Sequence, residues 1–250
     1  MTDPSTASTE RRLGLPPHIR LCLFDLDGVL TDTASVHRAA WGAAFDPVLK
    51  AHGQPEFTDQ DYDEYVDGKP RLDGVRDFIN SRHIDLPEGK DDDGPDADTM
   101  HGIAARKNDD VLARIHRDGV KVFEGSRRYL EAARQNGLRR VVVSSSANTV
   151  DVLKVTGLDV FIEGEIDGNT IIARHLHGKP APDSFLAGAE LLGIDPADAV
   201  VFEDATAGVE AGHRGAFGYV VGVNRQDQAH GEDLAKHGAS VVVTDLGELL

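Results

Sequence analysis

Residues 21–33 read Leu-Cys-Leu-Phe-Asp-Leu-Asp-Gly-Val-Leu-Thr-Asp-Thr. The first four form a short apolar run, which predicts a strand buried on both faces. It ends on two carboxylates, Asp25 and Asp27, one residue apart, and Gly28 lets the backbone turn tightly behind them. Open α/β sheets place their ligands beyond the carboxyl ends of their strands. Taken alone, an Asp-x-Asp pair at such an end also reads as a polar turn that merely stops a strand.

Working outward, the pattern changes twice. Residues 33–49 are expected to be a helix, with His37, Trp41 and Phe45 on one face and Asp46-Pro47 kinking or ending it. Residues 50–120 are helix-prone, charged and poor in strand pattern: 57–66, 72–82 and 99–118 read as helices, and Gly119 suits the end of the last. Between them, residues 86–98 are dominated by Gly, Pro and Asp and read as a solvated acidic loop; their spacing does not fit an EF-hand. From residue 125 strands and helices alternate. Strands are expected at 140–143, 160–163, 199–202, 218–223 and 240–243, with a small hairpin over 165–172 turning at Asp167-Gly168. The fold class is therefore α/β, a Rossmann-like, mainly parallel sheet core with an inserted α-helical cap domain. The core is expected over 19–32 and 122–250, the cap over 33–121, and a flexible N-terminal tail over 1–18.

The chain has 250 residues and a formal net charge of −17, which disfavours nucleic acid and membrane as partners. No apolar run approaches the ~20 residues needed to span a bilayer. The tail is polar, rich in Ser and Thr, and lacks the apolar stretch of a signal peptide. Cys22, the single cysteine, lies in the buried run and reads as a small inert hydrophobe. With no disulfide to form, an intracellular, cytoplasmic protein is expected.

Three further stretches sit at strand ends or in the loops after them. Ser144-Ser145-Ser146 follows Val141-Val142-Val143; Lys179 is held in Gly178-Lys179-Pro180-Ala181-Pro182-Asp183; Glu203-Asp204 ends Val200-Val201-Phe202. Each alone is ordinary turn or surface chemistry. In this order, with Phe24 to Thr33 at their head, they resemble the haloacid dehalogenase (HAD) superfamily of phosphotransferases. The resemblance makes Asp25 the nucleophile that takes a phosphoryl group and Asp27 the general acid and base. It makes a Ser144 or Ser145 hydroxyl, Ser145 by register, the phosphoryl binder, and Lys179 the charge that neutralises phosphoryl group and carboxylate. Mg²⁺ is the implied cofactor, on Asp25, the Asp27 carbonyl and the Glu203-Asp204 pair.

Over residues 19–246 the chain is similar to the β-phosphoglucomutase branch of that superfamily. Asp32-Thr33-x-x-x-His37, Gly68-x-x-Arg71 and Arg106-Lys107-Asn108 match its motifs. The resemblance assigns Thr33, His37, Arg71 and Lys107 to the substrate, with Arg71 on the distal phosphate. Trp41 reads as a core aromatic. The implied reaction converts β-glucose 1-phosphate to glucose 6-phosphate through an aspartyl phosphate and a hexose bisphosphate, the latter also serving as activator. A sugar-phosphate phosphatase is the alternative; a dehalogenase is disfavoured by Asp27, and a non-catalytic sensor by the intact Asp25, Asp27 and Lys179.

Overall fold

The computed structural model describes residues 13–250. At its centre lies a parallel sheet of β1 (Leu21–Phe24), β2 (Arg139–Val143), β3 (Glu165–Ile166), β4 (Ala199–Glu203), β5 (Tyr219–Val223) and β6 (Val241–Val243). Their order is β3-β2-β1-β4-β5-β6, and every ladder is parallel. Alternate residues of these strands feed two apolar layers. Cys22, Phe24, Val142, Val200 and Phe202 belong to one, and Leu21, Leu23, Val141, Val143 and Val201 to the other. Helices cover both faces, so the strands must be apolar throughout. The chain leaves β1 toward β2 on one side and later returns to lay β4 on the other. Beyond the carboxyl ends of β1 and β4 lies the crevice where such sheets bind ligands.

Between β1 and β2 the chain makes α1 (Thr33–Ala51), α2 (Asp59–Asp61) running into a π-helical turn over Tyr62–Val66, α3 (Arg71–Ser81), α4 (Met100–Asp118) and α5 (Glu124–Gln135). Helices α1, α3 and α4 with the π-turn enclose their own apolar cluster, built on Trp41, Phe45, Tyr62, Val75, Phe78 and Ile103. Helix α1 runs unbroken through Pro47, contrary to the expected break. The lost backbone bond costs roughly 3 kcal/mol. Phe45 and Leu49, on either side, are buried, and Phe45 lies 4.3 Å from the Phe78 ring, centroid to centroid. Burying two such side chains contributes roughly 1.5–3 kcal/mol each, which offsets the loss.

After β2 come α6 (Thr149–Thr156), α7 (Gly168–Ala173), α8 (Asp183–Leu191), α9 (Thr206–Arg214) and α10 (Gln228–Lys236). Three expectations need correction here. Residues 159–161 form a 3-10 turn, and the strand falls later, at β3. The expected hairpin is absent: Asp167 accepts from the Thr170 N–H at 2.7 Å and caps α7, so Asp-Gly-Asn-Thr is a helix start. Helix α10 was not expected, because its polar sequence buries only Leu234.

Residues 1–12 of the expected tail lie outside the described residues, but 13–16 are packed, with Pro17 and His18 exposed. Leu15 is buried and the Tyr129 hydroxyl donates to the Leu13 carbonyl at 3.0 Å. Residues 86–98 form an exposed irregular loop, as expected, braced where Asp93 accepts from the Thr99 hydroxyl. Among the described residues no helix is long and apolar enough to cross a membrane.

Candidate active site

Asp25 stands at the carboxyl end of β1, where its N–H donates to the Phe202 carbonyl of β4 at 2.9 Å. Lys179 reaches it from the loop before α8. The ammonium donates to Asp25 Oδ1 and to Glu203 Oε1, each at 2.6 Å, and lies 4.8 Å from the Phe185 ring centroid. Burial alone would lower the lysine pKa, but the charges of Asp25 and Glu203 outweigh it and hold the pKa above the usual range. Asp25 is driven well above an ordinary carboxylate, first by burial and then by Glu203 and Asp27, against the pull of Lys179. Asp204 is raised by burial and then by Asp67, Glu203, Asp25 and Asp27. Asp67 is pushed up to about 7, by burial first and then by Glu203 and Asp63.

One buried ammonium thus faces more carboxylate than it can neutralise, an environment that suits a hard divalent cation. Asp25, Asp204 and the Asp27 carbonyl are the oxygens that could hold it. Gly28 makes the approach possible: a Cβ there would fall 1.7 Å from Asp204 Oδ2. Among the described residues no three acidic, His or Cys side chains form a ready metal cage. Mg²⁺ does not require one, since it keeps waters and takes one or two carboxylates plus substrate phosphate. Glu203 was expected as a ligand or as a group behind the ligands, and both its oxygens are engaged by the protein. Oε1 accepts from Lys179, and Oε2 accepts from the Ala205 N–H at 2.8 Å. It borders the crevice with its carboxylate held by the lysine and the Ala205 N–H.

Asp27 is gripped from three sides. The Thr33 hydroxyl donates to Oδ1, the Ser144 hydroxyl donates to Oδ2 at 3.2 Å, and His37 Nε2 stands 3.6 Å from Oδ1. Thr33 is fully buried behind Asp27 and does not line the cleft, so its expected contact with substrate is replaced by a contact with the acid. Ser145 lines the cleft, and its hydroxyl donates to the Gly68 carbonyl across the gap at 2.8 Å. Ser144 is turned to Asp27, which separates the two serines.

The opposite wall comes from α1, α3 and α4. The Lys107 ammonium donates to His37 Nδ1 at 2.8 Å and sits 4.9 Å from the Trp41 ring centroid. Burial, then the neighbouring Arg71, lowers the Lys107 pKa to about 7. Burial, then Lys107, lowers His37 to about 4, so at neutral pH the ring accepts the lysine's hydrogen bond as a neutral base. Arg71 also lines the cleft and is depressed mainly by burial. Asp25, Asp27, His37, Arg71, Lys107 and Ser145 therefore face one cavity.

Trp41, Asp67, Asn108 and Asn148 are among the lining residues that escaped the sequence reading of the site. Trp41 stacks on Phe45 at 5.0 Å yet also borders the cleft. Asn148 donates to Asn108 Oδ1 at 3.2 Å, joining the serine loop to α4. Asn108 had a signal, as the next residue after Lys107 in a recognised motif. Asp67 had only its place beside Gly68.

A family model for haloacid dehalogenase-like hydrolases matches residues 19–215. A Mycobacterium bovis protein named β-phosphoglucomutase is 54% identical over 96% of this chain and 95% of its own length. Hexitol phosphatase A of Escherichia coli is 29% identical over 76% of each chain. In structure, a Clostridium difficile β-phosphoglucomutase superposes with a TM-score of 0.76 at 24% identity, covering 93% of both chains. With Asp25 and Asp27 beyond β1, Lys179 between Asp25 and Glu203, and relatives of this similarity, the chain belongs to the haloacid dehalogenase-like hydrolase family, in its β-phosphoglucomutase-like branch.

Proposed function

We propose that the chain is a Mg²⁺-dependent phosphomutase that interconverts β-glucose 1-phosphate and glucose 6-phosphate. The observation that carries this reading is that one cavity is lined both by Asp25 and, from the helical insert, by Arg71 and Lys107. A hydrolase needs to hold only the phosphate that it cleaves. A mutase must hold a second phosphate while the first reacts, then exchange them. The 54% identical relative named β-phosphoglucomutase supports the same reading.

In this reading phosphorylated Asp25 gives its phosphoryl group to the sugar hydroxyl, and Asp27 takes the hydroxyl proton. The resulting hexose bisphosphate turns over. Asp25 then attacks the other phosphate, and Asp27 returns a proton to the leaving oxygen. Asp27 is suited to both tasks because Thr33 and Ser144 fix its carboxylate. Bound between Asp25, the Asp27 carbonyl and Asp204, Mg²⁺ would offset the charge of the phosphoryl group. Lys179 keeps its proton throughout and stabilises the same charge from the other side. The Arg71 fork and Lys107 hold the phosphate that is not reacting. Ser145 binds the reacting phosphoryl group, and the core and cap are separate domains that close on one another to exclude water. A hexose bisphosphate serves as activator because only phosphorylated Asp25 starts the cycle.

The similarity to a hexitol phosphatase favours a second reading, hydrolysis of a sugar phosphate. Product analysis with β- and α-glucose 1-phosphate, with and without glucose 1,6-bisphosphate, separates the two. Glucose 6-phosphate formed from the β anomer, dependent on the bisphosphate and abolished by EDTA, is expected. Glucose and inorganic phosphate as main products would assign the chain to the phosphatases.

A further inference from the structure

The site's two acidic loops come from different strands, and both are held by one segment that the reaction itself does not use. That segment, 224–230, runs from the end of β5 into the first turn of α10. Arg225 Nε donates to the Gly28 carbonyl at 2.7 Å, and Nη2 donates to the Val29 carbonyl at 3.3 Å. Its third nitrogen donates to the Thr244 carbonyl at 2.8 Å, and the guanidinium lies 3.7 Å from the Phe123 ring centroid. Five residues along, His230 Nε2 stands 2.8 Å from the Asp204 carbonyl. A carbonyl only accepts, so this ring nitrogen carries the proton.

The segment is itself stiff. Asn224 N–H donates to the Val243 carbonyl at 2.7 Å, Asn224 Nδ2 donates to the Asp227 carbonyl at 2.8 Å, and the His230 N–H donates to Asp227 Oδ1 at 3.0 Å. Arg225 therefore anchors the turn immediately after Asp27, and His230 anchors the turn at Asp204. Crowded carboxylates on two loops repel one another; Lys179 ties Asp25 to Glu203, and Arg225 and His230 tie the turns that follow them to one segment. A planar guanidinium is suited to the task because its nitrogens reach several carbonyls from one rigid group, which a lysine ammonium does not do in the same geometry.

We propose that Arg225 and His230 are positioning residues that hold the Asp27 and Asp204 turns at the separation required for Mg²⁺. Neither touches the reacting atoms. The inference rests on the metal-site reading above and adds to it the residues that set the site's affinity. Partners of this kind, behind a metal's own ligands, are worth about 10- to 100-fold in metal affinity.

The test is Mg²⁺ titration calorimetry on the full chain without substrate, beside thermal unfolding in EDTA. His230→Ala is expected to weaken Mg²⁺ binding about tenfold, with the unfolding temperature in EDTA little changed. His230→Gln, which returns an N–H donor to that position, is expected to recover most of the loss. Arg225→Lys is expected to weaken Mg²⁺ binding by a similar factor, and to raise the Mg²⁺ needed for half-maximal turnover without changing KM for the sugar phosphate. If Arg225→Lys unfolds, the two His230 variants decide the matter. Wild-type Mg²⁺ affinity in His230→Ala would overturn the proposal, as would equal losses in His230→Ala and His230→Gln. An unmutated chain that binds no Mg²⁺ would overturn the metal reading itself, together with the brace built on it.

Discussion

The two walls of the cleft are opposite in charge and unequal in how far that charge is answered. On the sheet side Lys179 answers Asp25 and Glu203, Asp204 stands beside them, and Asp67 joins them from the turn before α3; the pKa values of Asp25, Asp67 and Asp204 rise. On the helical side Lys107, His37 and Arg71 crowd together, and theirs fall. Both shifts are the strain of like charges gathered out of water. One wall is short of cations and the other is short of anions. In a chain of net charge −17, such a cationic wall is built against the general trend of the sequence, which is the mark of a specific binding surface. A fold that had only to be stable would have paired these groups with each other.

The comparison breaks most visibly at the nucleophile. Asp25→Asn keeps the shape and removes the attacking carboxylate, and turnover is expected to fall on the order of 10⁴-fold or more. Circular dichroism checks the fold, and turnover near the original rate would remove Asp25 from its role. Next is the ion cluster on the sheet side. Lys179→Met strands Asp25 and Glu203 without a counter-charge, and a buried pair broken in this way costs about 3–5 kcal/mol of stability. Urea denaturation measures it; a loss below 1 kcal/mol would mean that the cluster is far better solvated than its burial implies.

On the helical side, Arg71→Ala is expected to reduce isomerisation of β-glucose 1-phosphate far more than hydrolysis of acetyl phosphate, which carries no second phosphate. A lost desolvated charge contact of about 2–5 kcal/mol corresponds to roughly 30- to several thousand-fold in rate. Equal losses on the two substrates would remove Arg71 from the distal phosphate.

The smallest effect sharpens the comparison by counting protons. Lys107 titrates at about 7 in the folded chain, against 10.5 for an ordinary lysine. Between those values the unfolded chain binds more protons at this side chain than the folded one. Its penalty on folding is therefore full below about pH 7 and fades as the pH rises toward 10.5. A phosphate bound beside it reverses the depression, so sugar-phosphate binding at pH 8 is expected to take up as much as about one proton. Calorimetry in buffers of different ionisation enthalpy reads this uptake. Lys107→Met should abolish it, and unchanged uptake in that variant would assign the proton elsewhere.

Five of the six strands and the order of the loops after them were legible because each depends on local pattern; the expected strand at 160–163 is the exception. Residues 21–24 are apolar throughout, and Asp25 follows them whatever the rest of the chain does. The same holds for Lys179 in its proline-rich loop and for Asp204 after its strand. Where local pattern was ambiguous the reading failed: Asp167-Gly168 fits a hairpin turn and a helix cap equally well, and only pairing of β3 with β2 chose between them. Pro47 argued for a break, and an aromatic cluster assembled from distant residues overruled it.

The type of fold and the place of Asp25 at the end of its strand were readable from sequence alone, as was the set of charged residues proposed for phosphate. The sequence could not tell which of them face the cleft. Thr33 turns away from it, to Asp27, whereas Trp41 and Asp67 turn toward it. Those assignments, and the hold of Arg225 on Gly28 and Val29 across nearly two hundred residues of chain, depend on which side chains are brought within hydrogen-bond distance. Such contacts have short range in space and none in sequence, so only the packed tertiary structure decides them.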